Sequence, residues 1–169
     1  MPSVISIRRS DTRCKCTTEH SLLTKRFEME EKVLKASKFL DIRFSEVDSM
    51  RVVWHGSYPL YFEDAREEFG RQYKLEYLRI ADFGYFAPLV DLQFHYRKPI
   101  TYGMRPRIDI IYRPTDAAKI VFDYEIHDPD TNELMASGRS VQVFMDMNYH
   151  LVWVTPDFYQ EWKRMWNLL

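Results

Sequence analysis

One stretch of the chain, Glu46 to Tyr58, holds residue types that can carry out chemistry. Asp48 supplies a carboxylate that can act as a nucleophile or as a general base, and the residue type does not separate the two. His55 and Gly56 stand just ahead of an expected helix start. Backbone N–H groups there lack intrahelical acceptors and sit at the positive end of the helix dipole, so they can polarise a carbonyl oxygen. Taken singly, each residue has a plainer reading. An Asp before a helix is usually a turn or capping residue, and a lone His a satisfied structural one. Trp54 and Tyr58 read first as packing residues, and Glu63 as a solvated or interface charge. Arg97, Lys98, Arg105 and Arg107 form a basic cluster around a strand turn, which suits phosphate groups.

The surrounding elements follow from hydrophobic periodicity. Phe39 to Phe44 reads as a strand, with a polar loop after it through Ser49. A helix is expected over Ser57–Tyr73, because Tyr58, Phe62, Ala65, Phe69 and Tyr73 fall three or four apart and make one stripe. Glu63, Asp64, Glu67 and Arg71 lie mainly off that stripe. Ser57 is expected to cap the helix, and Pro59 fits its first turn. Alternating apolar residues then mark strands around 90–96, 108–113 and 120–127, with a last long strand from Glu133 to Met147. A short helix opened by Thr155-Pro156 closes the chain, with Phe158, Trp162, Met165 and Leu169 on one stripe. A long helix with one apolar stripe needs a sheet to bury it, so the expected class is α+β.

Composition narrows the setting. With 169 residues, of which 46% are hydrophobic, the chain can bury one sizeable core. A formal net charge of −1 gives no reason to expect nucleic acid or an anionic membrane as a partner. No apolar run is long enough to span a bilayer. The cysteines, Cys14 and Cys16, are one residue apart, too close for an ordinary staple and without a second pair to complete a zinc site. No metal and no separate cofactor are expected, and the location expected is cytoplasmic. Residues 1–28 read as a flexible N-terminal extension, basic and Ser-rich but without period, and the functional domain is expected to span 29–169.

The segment Glu46-Val47-Asp48-Ser49-Met50-Arg51-Val52-Val53-Trp54-His55-Gly56-Ser57-Tyr58 resembles the opening of the 4-hydroxybenzoyl-CoA thioesterase-like hotdog family. In that family an Asp ends the first strand, and an aromatic-His-x-Asn-Tyr run opens the central helix. Asp48, His55 and Tyr58 match its catalytic Asp, its usual His and its Tyr. Phe94-His95-Tyr96-Arg97-Lys98-Pro99 with Gly103 is similar to its Tyr-x-x-Pro strand end, and Ala136-Ser137-Gly138 to its Ala-x-Gly strand. The resemblance covers roughly residues 38 to 150. Two positions depart from it: Arg51 stands where Gly is common, and Ser57 where Asn is. Arg51 therefore implies a differently shaped loop, or a side chain that itself reaches the site or the coenzyme phosphates.

The resemblance implies a hotdog fold, an antiparallel sheet wrapped around a long central helix with a short C-terminal helix added. It implies hydrolysis of an acyl-CoA thioester to free acid and coenzyme A by a homodimer or homotetramer. Asp48, His55 and Gly56 are its candidate catalytic residues. Arg51, Trp54, Tyr58, Glu63, Arg97, Lys98 and Arg105 are its candidate substrate contacts. A thioesterase acting on acyl carrier protein and a non-catalytic acyl-binding hotdog are the alternatives.

Overall fold

The computed structural model describes residues 33–169. The extension 1–28, the boundary at Met29 and both cysteines lie outside the described residues. Five antiparallel strands form the main sheet: β1 (Lys35–Phe39), β3 (Leu89–Tyr96), β4 (Arg107–Arg113), β5 (Lys119–His127) and β6 (Leu134–Val143), in the order β1-β4-β5-β6-β3. Helix α1 (Tyr58–Tyr73) crosses one face, and α3 (Asp157–Met165) packs at its end. A small ribbon pairs β2 (Tyr85–Phe86) with β7 (Met145–Asp146), and a single short helix, α2 (Tyr77–Asp82), links α1 to it.

Alternation works as the sequence implies. Ile108, Ile110 and Tyr112 of β4 and Ile120, Phe122, Tyr124 and Ile126 of β5 are buried against α1. The helix answers with Tyr58, Phe62, Ala65 and Phe69, all buried. Phe62 lies flat on Tyr124, with ring centroids 4.0 Å apart and planes 9° apart. Gly138 of β6 makes that approach possible, since a Cβ there would collide with the Phe62 ring and the Gln93 carbonyl. The opposite face of the sheet is charged. Asp123 is held between Arg113 (2.7 Å) and Arg139 (2.6 Å). Asp109 takes Ser37 Oγ–H at 2.6 Å, Lys35 at 3.0 Å and Arg107 at 3.2 Å.

Four expectations need correction. The first strand lies at Lys35–Phe39, not 39–44, because its partner β4 begins at Arg107 opposite Phe39, and Leu40 N–H makes the last bond, to Pro106 O. Phe44–Glu46 is instead a turn of 3-10 helix. The last strand breaks at buried Phe144, beyond which the chain leaves β6 to pair with β2. Ser57 makes no side-chain cap: a 3-10 turn over His55–Ser57 runs straight into α1, so Ser57 is already helical (φ −83, ψ −19). Finally, α3 buries Tyr159, Trp162 and Lys163, while Met165 and Leu169 are 58% and 70% exposed. Two hydrogen bonds rotate it that way, Tyr159 to Tyr112 between hydroxyls (2.7 Å) and Trp162 Nε1–H to Tyr73 O (2.7 Å).

Candidate active site

The loop carrying Asp48 is a tight reversal. Val47 and Val53 bridge across it, and Asp48 N–H donates to Val52 O at 2.9 Å. Arg51 N–H donates back to Asp48 O at 3.0 Å, and Met50 N–H donates to Asp48 Oδ1 at 2.8 Å. Such an Asx turn fixes the carboxylate through one oxygen. Asp48 Oδ2 has no protein partner among the described residues. The reversal requires φ +65 at Arg51. The loop therefore keeps the backbone that a glycine would take, and the Arg51 side chain is exposed at its tip rather than in the site.

Three anchors hold the loop against the rest of the fold. Val53 N–H donates to Ile100 O (2.8 Å) and Trp54 N–H to Glu46 O (2.7 Å). The Glu46 carboxylate accepts both Arg43 N–H and the Tyr61 hydroxyl, each at 2.9 Å. Burial, reinforced by that carboxylate, pushes the Tyr61 hydroxyl far above its usual range. It stays protonated and ties the loop to α1.

Between this loop and the end of β3 lies a hollow of about 280 Å³. Asp48, His55, Tyr58, Tyr96, Arg97 and Lys98 line it. The Tyr58 and Tyr96 rings meet edge to face at 4.8 Å, and Tyr96 Oη–H donates to His55 O at 3.3 Å. Burial, with Tyr96 beside it, pushes the Tyr58 hydroxyl up to about 12, so it is a neutral donor at ordinary pH. His55 and Gly56 begin the 3-10 turn that leads into α1, so their N–H groups precede any intrahelical acceptor. Ser57 N–H is already spent on Trp54 O, at 2.9 Å. The Trp54 indole folds back over Gly56, where a Cβ would run into its ring.

Five of the ten sequence candidates thus meet at one hollow: Asp48, His55, Tyr58, Arg97 and Lys98. Gly56 adjoins it through the helix start. The others lie elsewhere. Glu63 accepts the Tyr77 hydroxyl at 3.2 Å on the second turn of α1, and Arg105 pairs with Asp41 at 2.7 Å. Arg51 at the tip of the loop and Trp54 just after it do not line the hollow. Lys98 is partnered by Glu133. Tyr96 was missed as a site residue because its apolar neighbours two apart mark it as a packing position. Its place directly before Arg97 and Lys98 was the available signal.

Elsewhere, Asp109, Glu125 and His127 bring their ligand atoms within 4.8 Å of one another on the charged face of the sheet. Asp109 there already answers the cations of Lys35 and Arg107, which leaves little charge to hold a metal. No helix among the described residues is long and apolar enough to cross a membrane.

Comparison with known proteins agrees with this architecture. Residues 42–162 match the model of the thioesterase-like superfamily. A Bacillus subtilis (strain 168) protein described as "Putative acyl-CoA thioesterase YneP" is 26% identical over 111 residues, spanning 66% of this chain and 80% of its own. A "Putative esterase" of Aquifex aeolicus (strain VF5) is 36% identical over 102 residues, 60% of this chain and 80% of its own. Among solved structures, the DHNA-CoA thioesterase of Staphylococcus aureus superposes with a TM-score of 0.69 at 22% identity, covering 79% of this chain and 92% of that one. The match over most of its length, on a five-stranded sheet wrapped around α1, makes this chain a member of the thioesterase-like superfamily with the hotdog fold.

Proposed function

We propose that the chain hydrolyses acyl-CoA thioesters to a carboxylic acid and coenzyme A, in the cytoplasm. The observation that carries this reading is the Asp48 carboxylate, pinned through one oxygen with the other unbonded, in the same hollow as the start of the central helix. The unbonded oxygen has two routes. It can attack the thioester carbonyl carbon, expelling the coenzyme A thiolate and leaving an acyl anhydride that water then cleaves. Alternatively it takes the proton of a water that attacks the same carbon. In either route the carbonyl oxygen becomes negative, and the N–H groups of His55 and Gly56 with the helix dipole take up that charge. The thiolate is a good leaving group, so no strong general acid is needed.

Arg97 would bind the coenzyme phosphates. Its guanidinium has no partner among the described residues, whereas Lys98 is paired with Glu133 and Arg105 with Asp41. Arg97, unpaired among the described residues, fits a few phosphates better than the broad acidic surface of a carrier protein. The working unit proposed is a homodimer or a homotetramer. Among the described residues, strand β3, eight residues long, forms an edge of the sheet and leaves a row of backbone groups open to a second copy.

Coenzyme A release from short, long and aromatic acyl-CoA esters tests the reading, using the wild type and Asp48→Asn. Turnover of an ester that falls by more than about a hundredfold in the variant supports it. A folded wild type that turns over none of them overturns it in favour of a non-catalytic acyl-binding role.

A further inference from the structure

A second, larger hollow of about 620 Å³ opens at the other end of the sheet. Lys119 and Val143, the last pair of β5 and β6 at that end, lie in its wall. The hollow beside Asp48 adjoins Tyr96, which pairs with Ala136. Val143 lies seven residue steps along β6 from Ala136, about 23 Å of strand. The two hollows are therefore distinct.

The second one is apolar along one side and cationic at its base. Trp153 is 84% exposed and Val154 75%, with Leu151 beside them, so aromatic and aliphatic surface stands open to water. Such a patch rimmed by polar groups marks a place where apolar material binds. At the base, Lys163 of α3 is only 3% exposed. Its ammonium donates to Thr115 O at 2.5 Å and lies 4.8 Å from the centre of the Tyr159 ring. Among the described residues no carboxylate comes within ion-pair distance of it, and only Asp116 favours its charged form from farther off. An ammonium carries three donors, so two of them are left without a protein acceptor. Burying a charge in this way is costly unless an anion answers it. Lys119 adds a second cation in the same wall, while Asp116, which also lines the cleft and acts on Lys163, makes a dianion costlier than a monoanion. Burial also lowers the readiness of the Lys163 amine to hold its proton, and a bound carboxylate would restore it.

We propose that this cleft binds an aliphatic monocarboxylate, its carboxylate on Lys163 and Lys119 and its chain along Leu151, Trp153 and Val154. The volume lies within the range of small-molecule sites. A free acid of this kind is also what hydrolysis of an acyl thioester releases. Only the origin of the ligand, not its binding, rests on the proposed activity.

Titration calorimetry of the full chain with decanoate, kept below its micelle concentration, tests the proposal. The expected result is one saturable site per chain that persists in Asp48→Asn, weakens at least about tenfold in Lys163→Met, and disappears in Trp153→Glu. Trp153 is exposed, so that second substitution reads the cleft without disturbing the core. Four outcomes would overturn the proposal: no saturable binding by the wild type; affinity unchanged in both cleft variants; a site lost in Asp48→Asn, which would move it to the other hollow; and equal binding of decyltrimethylammonium, which would show that the cations are not read. Because the titration needs no turnover, an inactive but decanoate-binding protein would refute the hydrolase reading and leave this one standing.

Discussion

Arg51 folds back onto Asp48, its N–H 3.0 Å from the Asp48 carbonyl, with its own φ at +65. A long side chain thus occupies a left-handed position, which costs an L-residue roughly 1–2 kcal/mol. The strain sits three residues from the proposed catalytic carboxylate. Arg51→Gly should relieve it, less the roughly 0.5–1 kcal/mol of added unfolded-state entropy that glycine brings. The expected result is a small rise in the thermal midpoint, about 1–3 °C for a chain of this size. Arg51→Val, β-branched and worse suited to positive φ, should lower it.

Gly138 should tolerate no side chain. An added Cβ meets both the Phe62 ring and a backbone carbonyl of β3, so Gly138→Ala is expected to cost about 1–3 kcal/mol in denaturant unfolding. Pairing it with Phe62→Leu should recover only part of the loss, because the Gln93 carbonyl still stands in the way.

Asp109 is the buried centre of the charged sheet face, 1% exposed. Burial alone would raise its pKa, but Ser37, Lys35 and Arg107 outweigh that and hold it below the usual carboxylate range. A depressed folded value contributes stability above the unfolded one, near pH 4, and that contribution fades as pH falls further. Asp109→Asn leaves Lys35 and Arg107 facing a neutral group, and about 3 kcal/mol of stability should be lost at neutral pH. Urea titrations of both proteins at pH 7 and pH 3 should show the gap narrowing at the lower pH.

Alkaline stability should carry the opposite signature. Burial raises the hydroxyls of Tyr58 and Tyr112 to about 12, above the unfolded value of 10.0. Raised folded values give stability that is complete below the unfolded one and is lost as pH climbs through the folded one. Unfolding should therefore set in between about pH 10 and 12, as the buried tyrosines ionise. Tyr58→Phe, which cannot ionise, should move the alkaline midpoint upward when followed by near-ultraviolet absorbance.

Under the proposed function, Arg97→Ala should raise KM for an acyl-CoA several-fold with kcat little changed. The loss should shrink at high salt, because the contact is with exposed phosphates. An equal fall in kcat would instead place Arg97 among the groups that act on the reacting carbonyl.

Local pattern determined most of the architecture. A period of two puts Ile108, Ile110 and Tyr112 on one face of a strand whatever that strand pairs with, and a period near 3.6 does the same for Phe62, Ala65 and Phe69. Helix α1, the strands after it and the loop–helix segment around Asp48 were legible for this reason. Contacts distant in sequence decided the rest. The first strand ends where β4 runs out of partners, the last one leaves the sheet at Phe144 for β2, and Lys163 is buried because Tyr159 and Trp162 set the rotation of α3. The candidate site divides along the same line. Asp48, His55 and Tyr58 are neighbours in one segment and could be grouped from it. Within the basic cluster, though, only the fold shows that Arg105 is taken by Asp41 and Arg107 by Asp109, and that Arg97 and Tyr96 come to the Asp48 hollow. Charges at similar spacing look alike in a sequence, and their partners are chosen by strand register, which is a property of the whole sheet.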